Sequence, residues 1–374
     1  MKRAWTALNK QNAESKGPSG VTIETFASDL ESNLTRISKE LRNGTYQFAT
    51  VRATTVRKAG TSKNRPLRIA DVRDRVVLKA IQLTIEPSLR RRYKTDNQSS
   101  FAYQPHLGTG HALKAIEHHY KEGYRYSVRS DIISFFDNIS RERLLTDFVF
   151  PALKDDSLNK YIRLGLAQEV DSLDHLSQED AKLFGDSMNG VAQGSALSPL
   201  LSNVYLSPFD SAFKGRQYKL VRYADDFVIM TRSEADAVNA FAVAERALDS
   251  LGLKVHPLGE ASLKTQIVEV SPATPLTFLS VTFNGTQMWP SEAKVSELKL
   301  KLKERAAAAN SVPELLRKFS SLLHGWIYAF YYTDVERYCG RIDKEVNTQL
   351  AFGLRRLGWK MRKWQEGNGG ASRL

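Results

Sequence analysis

The sequence has almost no cysteine and no long apolar run. Cys339 is the single cysteine among 374 residues; this excludes an internal disulfide framework and a cysteine-rich zinc module, and it is typical of a reducing compartment. No apolar run approaches the roughly 18 residues that a membrane-spanning helix needs. Residues 1–5 lead into polar sequence rather than into the apolar core of a signal peptide. We therefore expect a cytoplasmic protein that has no contact with a membrane.

Internal repeats and long low-complexity tracts are also absent from the sequence. Only the glycine-rich residues 367–374 predict a disordered tail. The remaining length is sufficient to bury a large core, in one multi-lobed catalytic unit or in two to three subdomains.

Positively charged residues are in excess in this sequence. The chain has 54 Lys and Arg against 41 Asp and Glu, a net charge of +13. This excess favours a polyanionic partner, most often nucleic acid. Residues 52–94 alone carry a net charge of +10. The alternative is an ordinary basic protein whose charges are solvated.

Two β-prone runs meet at a pair of adjacent aspartates in residues 220–230. Val, Tyr, Phe and Ile favour strands and Asp tolerates a turn, so the stretch predicts a hairpin with Asp225 and Asp226 at its tip. Alternating apolar residues predict another strand that ends at Asp131. If the strands pair in one sheet, the three carboxylates form an all-oxygen site suited to Mg²⁺. The alternative is a solvated turn.

Several short motifs occur in a fixed order along the chain. They are residues 63–69 (KNRPLRI), 131–137 (DIISFFD), 193–199 (QGSALSP), 223–226 (YADD), 264–265 (KT) and 276–279 (LTFL). In this order they resemble the motifs of bacterial reverse transcriptases of the group II intron-like branch. A compact chain with a palm and a thumb but no maturase-nuclease extension most resembles the stand-alone, defence-associated members of that branch. The resemblance covers about residues 15 to 335.

The resemblance implies an α+β right-hand polymerase, in which fingers and palm combine an antiparallel sheet with helices and a helical thumb follows. We expect an N-terminal and fingers region over residues 1–120 and a palm over 121–290, with fingers and palm interleaved. The thumb is expected over 291–366, without a DNA-binding or nuclease extension. Apolar residues at helical spacing also predict a helix over 26–42.

The resemblance further implies two-metal nucleotidyl transfer. Asp131, Asp225 and Asp226 would hold two Mg²⁺ ions, for which Mn²⁺ is a substitute, and Asp226 would be the weaker ligand. The backbone carbonyl of Ile132 would add an oxygen. Lys264 would act as a general acid or neutralise charge near the leaving pyrophosphate. The alternative for Lys264 is a surface lysine on an edge strand.

Other residues are assigned by the resemblance to the incoming nucleotide. Lys58 and Arg65 would bind its triphosphate, since their cations offset the negative charge of phosphate. Phe136 would exclude a 2′-hydroxyl and so select dNTPs, whereas Phe135 would face the core because neighbouring side chains of a strand point to opposite faces. A solvated basic hairpin and core packing of Phe136 are the alternatives.

Template and primer contacts are implied for residues of the fingers, the palm and the thumb. Gln193 and Gly194 would position the template base and the nucleotide. Nucleic acid would also contact a larger set of basic, aromatic and aliphatic residues, namely Arg68, Arg90, Arg91, Arg92, Tyr223, Phe278, Leu279, Lys299 and Lys303. The chain departs from the family pattern at Gln104, where an arginine is usual, and at Ser280, where a glycine is usual.

A stand-alone enzyme of this kind is predicted to copy a dedicated noncoding RNA into DNA in defence against phage. Its partners would be that template RNA, the nascent DNA and dNTPs, and a homo-oligomer is compatible with the sequence. Three alternatives stay open. They are a retron enzyme, although its Asn-Ala-x-x-His and Val-Thr-Gly signatures are absent; a group II intron-derived enzyme; and an RNA-binding maturase or scaffold with a vestigial polymerase.

Overall fold

The computed structural model describes residues 1–57, 64–185, 189–259 and 264–359. Residue contacts divide the chain into two units, Met1–Val270 and a second unit that begins at Ser271. Lys58 and the predicted tail at 367–374 lie outside the described residues. No helix within the described ranges is long and apolar enough to cross a membrane.

The strands of the first unit form a hairpin and a sheet. They are β1 (Arg52–Arg57), β2 (Asn64–Ile69), β3 (Tyr126–Asp131), β4 (Lys219–Tyr223), β5 (Asp226–Thr231) and β6 (Gln266–Glu269). β1 pairs with β2, and the other four form an antiparallel sheet in the order β4-β5-β3-β6. Residues 227–230 of β5 are all buried. Both faces of the sheet are therefore covered.

The first unit also contains helices and short helical turns. They are α1 (Lys2–Thr6), α2 (Ile23–Ala27), α3 (Leu30–Arg42), α4 (Val72–Tyr93), α5 (Thr109–Lys121), α6 (Phe135–Asn138), α7 (Arg141–Arg143), α8 (Asn159–Leu166), α9 (Gln178–Ala181), α10 (Ser198–Tyr205), α11 (Ser207–Ala212) and α12 (Glu234–Asp249), with a π-helical turn at Leu144–Val149 and 3₁₀ turns at Phe150–Ala152 and Lys182–Phe184. The hydroxyl of Ser233 accepts a hydrogen bond from the backbone N of Asp236 at 3.1 Å and so begins α12. The buried face of α12 packs on β3 and β5.

The helix predicted over residues 26–42 is wrong in its bounds. Thr22 Oγ1 accepts from the backbone N of Thr25 at 3.1 Å and begins the short helix α2, which contains Phe26. The chain leaves helical geometry at Asp29, with φ −128° and ψ 49°, before α3 begins. The apolar spacing continues across this break, so periodicity alone could not reveal it.

The β1–β2 hairpin agrees with the predicted basic hairpin, and its turn lies outside the described residues. Two contacts attach β2 to the rest of the first unit. Asn64 Nδ2 donates to Asp180 Oδ1 at 2.8 Å, and the backbone N of Arg68 donates to the carbonyl O of Gln193 at 3.2 Å. The second contact brings the hairpin to the loop that precedes α10.

The second unit begins with three antiparallel strands and continues as helices. Its elements are β7 (Leu276–Phe278), β8 (Val281–Phe283), β9 (Met288–Pro290), α13 (Glu292–Ala308), α14 (Val312–Phe330), a 3₁₀ turn (Glu336–Tyr338) and α15 (Cys339–Arg356). Leu298, Leu302, Leu315 and Phe319 are among the residues of its own apolar core. The helices start where the thumb was predicted to start, whereas the three strands, which we assigned to the palm, lie in this unit.

Candidate active site

The paired strands bring the three aspartates together. β3 and β5 are antiparallel, with Asp131 opposite Asp226. The β4–β5 hairpin turns through Ala224 and Asp225, and Tyr223 pairs with Asp226. The pairing of β3 and β5 extends past the strand ends, because the backbone N of Ile132 donates to the carbonyl O of Asp225 at 3.2 Å. Three carboxylates therefore lie at one end of the sheet.

The electrostatics of this cluster favour a cation. Asp226 keeps contact with solvent, but the surrounding protein desolvates its carboxylate and raises its pKa to about 6, with further increases from Asp225 and Asp131. Lys264 and Arg129 act in the opposite direction. Close carboxylates disfavour one another's charged form unless a cation neutralises them. The donor set consists of carboxylate oxygens, which suit Mg²⁺ or Mn²⁺.

Two basic side chains already approach Asp131. Lys264 Nζ lies 2.6 Å from Oδ2 of Asp131, and His256 Nε2 lies 3.7 Å from Oδ1. Residues 254–256 reach this place because the backbone N of Ile133 donates to the carbonyl O of Lys254 at 2.8 Å. Lys264 was predicted here. His256 was not, and no local pattern in the sequence points to it.

A cleft of about 1020 Å³ opens beside the carboxylates. Nine residues with predicted roles line it, namely Asp131, Ile132, Asp225, Lys264, Arg65, Arg68, Phe136, Gln193 and Gly194, together with Tyr103. Arg65 is exposed, and its side chain forms no hydrogen bond or ion pair in the part of the chain that the structure describes. The cleft therefore combines carboxylates at one side with an available guanidinium.

Gly194 lies where a side chain has no room. Its φ is 109°, in the region that favours glycine, and a Cβ at this residue would lie 3.0 Å from the carbonyl O of Arg68. Together with the hydrogen bond from Arg68 to Gln193, this close approach fastens the loop at 193–194 to β2. The predicted glycine thus has a clear structural reason.

Phe135 and Phe136 differ in exposure as predicted, but the strand expected to separate them is absent. β3 ends at Asp131, and both residues lie in the helical turn α6. Phe135 is buried in the core, whereas Phe136 is half-buried and lines the cleft. The two rings are 5.3 Å apart between centroids. Successive residues of a helix point about 100° apart, which is enough to separate core from cleft.

Tyr103 is a cleft residue to which the sequence analysis assigned no role. It has a φ of 58°, which is rare for a bulky residue, and its side chain is 43% exposed. Burial against the cleft wall raises the pKa of its hydroxyl, and the nearby Asp225 adds to this effect. The neighbouring Gln104 is buried and accepts a hydrogen bond from Arg90.

The other predicted nucleic-acid ligands of the first unit do not line this cleft. Arg90 forms an ion pair with Glu86 at 2.7 Å, whereas Arg91 and Arg92 are exposed near the end of α4. The half-buried Tyr223 ends β4. In the second unit Phe278 is buried, and Leu279, between β7 and β8, has a φ of 48°. On α13, Lys299 is half-buried and Lys303 is exposed.

Another group of potential metal ligands lies at the end of α5. The ligand atoms of His118, His119 and Glu122 lie within 4.8 Å of one another. Desolvation lowers the pKa of His119, whereas its hydrogen bond to Glu122 raises it. Each imidazole already faces one oxygen of the Glu122 carboxylate. These contacts with Glu122 account for the group without a metal.

The family model for reverse transcriptase (RNA-dependent DNA polymerase) matches residues 56–283. The chain belongs to this family. The match runs from the β1–β2 hairpin to β8 and contains all three aspartates. The predicted group II intron-like reverse transcriptase, its RNA-directed DNA polymerase class and its α+β fold with an antiparallel sheet are confirmed.

The reverse transcriptase is similar to two curated bacterial proteins. Protein YkfC of Escherichia coli strain K12 is 27% identical over 274 residues, which cover 63% of this chain and 68% of YkfC. The group II intron-encoded protein LtrA of Lactococcus lactis is 26% identical over 206 residues, which cover 54% of this chain and 31% of LtrA. The chain thus spans less than a third of LtrA.

Solved structures also resemble this reverse transcriptase. A chain of a partial Cas6-RT-Cas1–Cas2 complex is 27% identical, with a TM-score of 0.34 over 59% of this chain and 36% of that chain. Apo telomerase from Candida tropicalis is 14% identical, with a TM-score of 0.45 over 90% of this chain and 68% of that chain.

Proposed function

We propose that this reverse transcriptase copies RNA into DNA by two-metal nucleotidyl transfer at Asp131, Asp225 and Asp226. The observation that carries the proposal is the register of β3 and β5, which sets Asp131 opposite Asp226 with Asp225 in the adjoining turn. Asp131 and Asp225 would hold the divalent ions, Asp226 would be the weaker ligand and the carbonyl of Ile132 would add an oxygen. When bound, two Mg²⁺ ions would activate the primer 3′-hydroxyl and stabilise the charge on the triphosphate.

The residues around the carboxylates have matching roles. Arg65 would bind the triphosphate, since it lines the cleft and its exposed side chain forms no hydrogen bond or ion pair with a described residue. Lys58 is proposed to join it. Lys264 would donate a proton to, or neutralise, the leaving pyrophosphate. Phe136 would exclude a 2′-hydroxyl from the half-buried position that it occupies in the cleft wall.

The template would be held by the loop at Gln193 and Gly194, which is fastened to β2 beside Arg68. Arg91 and Arg92 are proposed to contact the nucleic-acid backbone from the end of α4, and Lys299 and Lys303 from α13. These are single positive charges that would contribute affinity without sequence preference.

Asp225→Ala tests the reaction. We expect this variant to lose primer extension on an RNA template, because the metals lose a ligand, and to keep its RNA affinity, because no basic residue changes. Asp249→Ala, which removes an exposed carboxylate at the end of α12, is the matched control and should extend primers as the wild type does. Retained synthesis by Asp225→Ala would overturn the assignment.

We further propose that the enzyme is cytoplasmic and copies a dedicated noncoding RNA in defence against phage. Support for a nucleic-acid template comes from membership of the reverse transcriptase family and from the net charge of +13. RNA and DNA that co-purify from the native locus should be sequenced for wild type and Asp225→Ala. One abundant RNA in both samples, with complementary DNA only in wild type, is the expected result. Mixed RNA without dependent DNA would instead favour an intron-derived or RNA-binding role.

A further inference from the structure

Arg222 is a fully buried arginine next to Tyr223 in β4. Burial of a charge is unfavourable unless the charge is paired and its hydrogen bonds are satisfied. Nε and Nη2 of Arg222 donate to the two carboxylate oxygens of Asp210 at 2.6 and 2.7 Å. Nη2 also donates to Ser100 Oγ at 2.9 Å, and Nη1 donates to Asn203 Oδ1 at 3.1 Å. Arg222 therefore joins β4 to α10, to α11 and to the segment at Ser100.

One further hydrogen bond of Arg222 reaches the catalytic hairpin. Nη1 donates to the carbonyl O of Ala224 at 3.0 Å. Ala224 has a φ of 58°, in the left-handed region that a residue with a Cβ adopts at a cost. Its carbonyl belongs to the peptide that leads into Asp225. A fixed donor on this carbonyl holds that peptide in one orientation.

The other side of Asp225 is held by the neighbouring strand. Its carbonyl O accepts from the backbone N of Ile132 at 3.2 Å. The two peptides that flank Asp225 are thus attached to different parts of the fold, one to the Arg222 side chain and one to the end of β3. A metal ligand whose backbone is fixed on both sides needs little reorganisation when the ion binds.

We propose that Arg222 is a positioning residue, which holds the turn at Ala224 so that Asp225 is preorganised to bind a divalent ion. The proposal rests on the two-metal function proposed above and extends it to a residue that touches neither metal nor substrate. The competing explanation is an ordinary buried ion pair with Asp210 that stabilises the fold and leaves the metal site unchanged.

Arg222→Lys and Ser100→Ala distinguish the two explanations. A lysine ammonium is a point charge without the planar fork of arginine. It therefore cannot donate to the Asp210 carboxylate and to the Ala224 carbonyl in the geometry that Arg222 adopts. Ser100→Ala removes a different hydrogen bond of the same guanidinium and leaves the one to Ala224. The readouts are the thermal midpoint, the Mn²⁺ affinity measured by electron paramagnetic resonance without nucleic acid, and the Mg²⁺ concentration that half-saturates primer extension.

We expect Arg222→Lys to weaken Mn²⁺ binding and to raise the half-saturating Mg²⁺ concentration, each by about tenfold, as for other residues that orient metal ligands. Ser100→Ala should lower the thermal midpoint and leave both metal readouts within about twofold of wild type. Equal metal readouts for the two variants would overturn the positioning role. If wild type and Asp225→Ala bind Mn²⁺ equally, the proposed two-metal site itself fails, which is a separate outcome.

The double variant Arg222→Met with Asp210→Leu tests the proposal in case Arg222→Lys does not fold. Replacement of a buried ion pair by apolar residues is often neutral for stability, but it leaves the carbonyl of Ala224 without its donor. Weakened Mn²⁺ binding in a folded double variant supports the proposal, and wild-type binding overturns it. If neither this variant nor Arg222→Lys folds, Arg222 is a folding residue and the proposal is rejected.

Discussion

Nζ of Lys264 lies 2.6 Å from Oδ2 of Asp131, although 133 residues separate the two in the chain. The ammonium therefore neutralises part of the charge of a carboxylate that we propose as a metal ligand. Lysine and metal cannot both occupy the same face of Oδ2. Binding of a metal there would release the lysine toward the cleft that it lines.

Lys264→Met is expected to have opposite effects on metal binding and on catalysis. The Mn²⁺ affinity of the free enzyme should rise, because no ammonium competes for Asp131. The single-turnover rate of nucleotide incorporation should fall by about 100-fold, the usual scale for loss of a general acid. Lys254→Met changes an exposed lysine of the same region and should alter neither quantity. Unchanged incorporation by Lys264→Met would contradict a catalytic role.

Phe136→Ala should relax the choice between dNTPs and rNTPs. The ring lines the cleft beside the carboxylates, so its removal opens space for a 2′-hydroxyl. We expect the ratio of kcat/KM for a dNTP to that for its rNTP to fall by about 10- to 200-fold, the range that pocket shape usually provides.

Phe135→Leu is the matched control for this discrimination, because Phe135 packs in the core. It should lower the thermal midpoint and leave the dNTP to rNTP ratio near the wild-type value. The steric role of Phe136 would be rejected if both variants changed the ratio equally.

Gly194→Ala should impair nucleotide binding more than a loss of stability explains. Alanine adds backbone strain at φ 109° and a contact of 3.0 Å with the backbone O of Arg68, so the loop and β2 must move apart. We expect KM for dNTP to rise about tenfold, the effect of a misplaced positioning group.

Gly215→Ala separates strain from contact, since Gly215 also has a positive φ, 74°, but no atom lies within 4 Å of the added Cβ. This control should lose some stability and keep its KM for dNTP. A similar KM for both variants would show that the close approach at Gly194 has no role in nucleotide binding.

The stabilising contribution of Asp74 should decrease as pH rises, whereas that of most paired carboxylates increases. It is buried and accepts hydrogen bonds from Tyr46 Oη (2.5 Å), from the backbone N of Ala49 (2.9 Å) and from Gln168 Nε2 (3.0 Å). Burial outweighs these donors and raises the pKa of Asp74 to about 6. The folded state thus binds this proton more tightly than the unfolded chain, whose Asp pKa is about 3.9. The contribution of Asp74 is most favourable below about pH 4 and is lost as pH rises through about 6.

Urea unfolding of wild type and Asp74→Asn between pH 4 and 7.5 measures this effect. The free energy of unfolding of wild type minus that of the variant should fall by at most about 3 kcal/mol as pH rises from 4 to 7. Subtraction of the two free energies cancels the contributions of the other carboxylates, which titrate in the usual direction in both proteins. Parallel curves for the two proteins would contradict a raised pKa of Asp74.

Much of the active site was predictable because its signals are local. A turn between two β-prone runs needs only neighbouring residues, so the hairpin at residues 220–230 and the strand that ends at Asp131 could be inferred from residue type and alternation. The order of the motifs then identified the family. The basic hairpin β1–β2 and the amphipathic helix α12 follow from similarly local patterns.

Local patterns failed where a single residue interrupts an element. The apolar period continues from α2 into α3, yet the backbone breaks at Asp29. In the same way, Phe135 and Phe136 follow a strand in sequence, but Ser134, with a φ of 45°, starts a helical turn instead. Residue type indicates which side chains prefer the core, whereas the backbone decides how they reach it.

The sequence alone determined the family, the three aspartates and the strands that carry them, because these depend on residue types within a few positions. The tertiary structure alone decided that Arg222 lies buried between Asp210 and the carbonyl of Ala224, and that His256 lies beside Asp131. Such contacts join segments that are distant in the chain, and residue types within one segment do not specify its partner. The packing of the whole first unit brings these segments together and holds Asp225 at the end of the sheet.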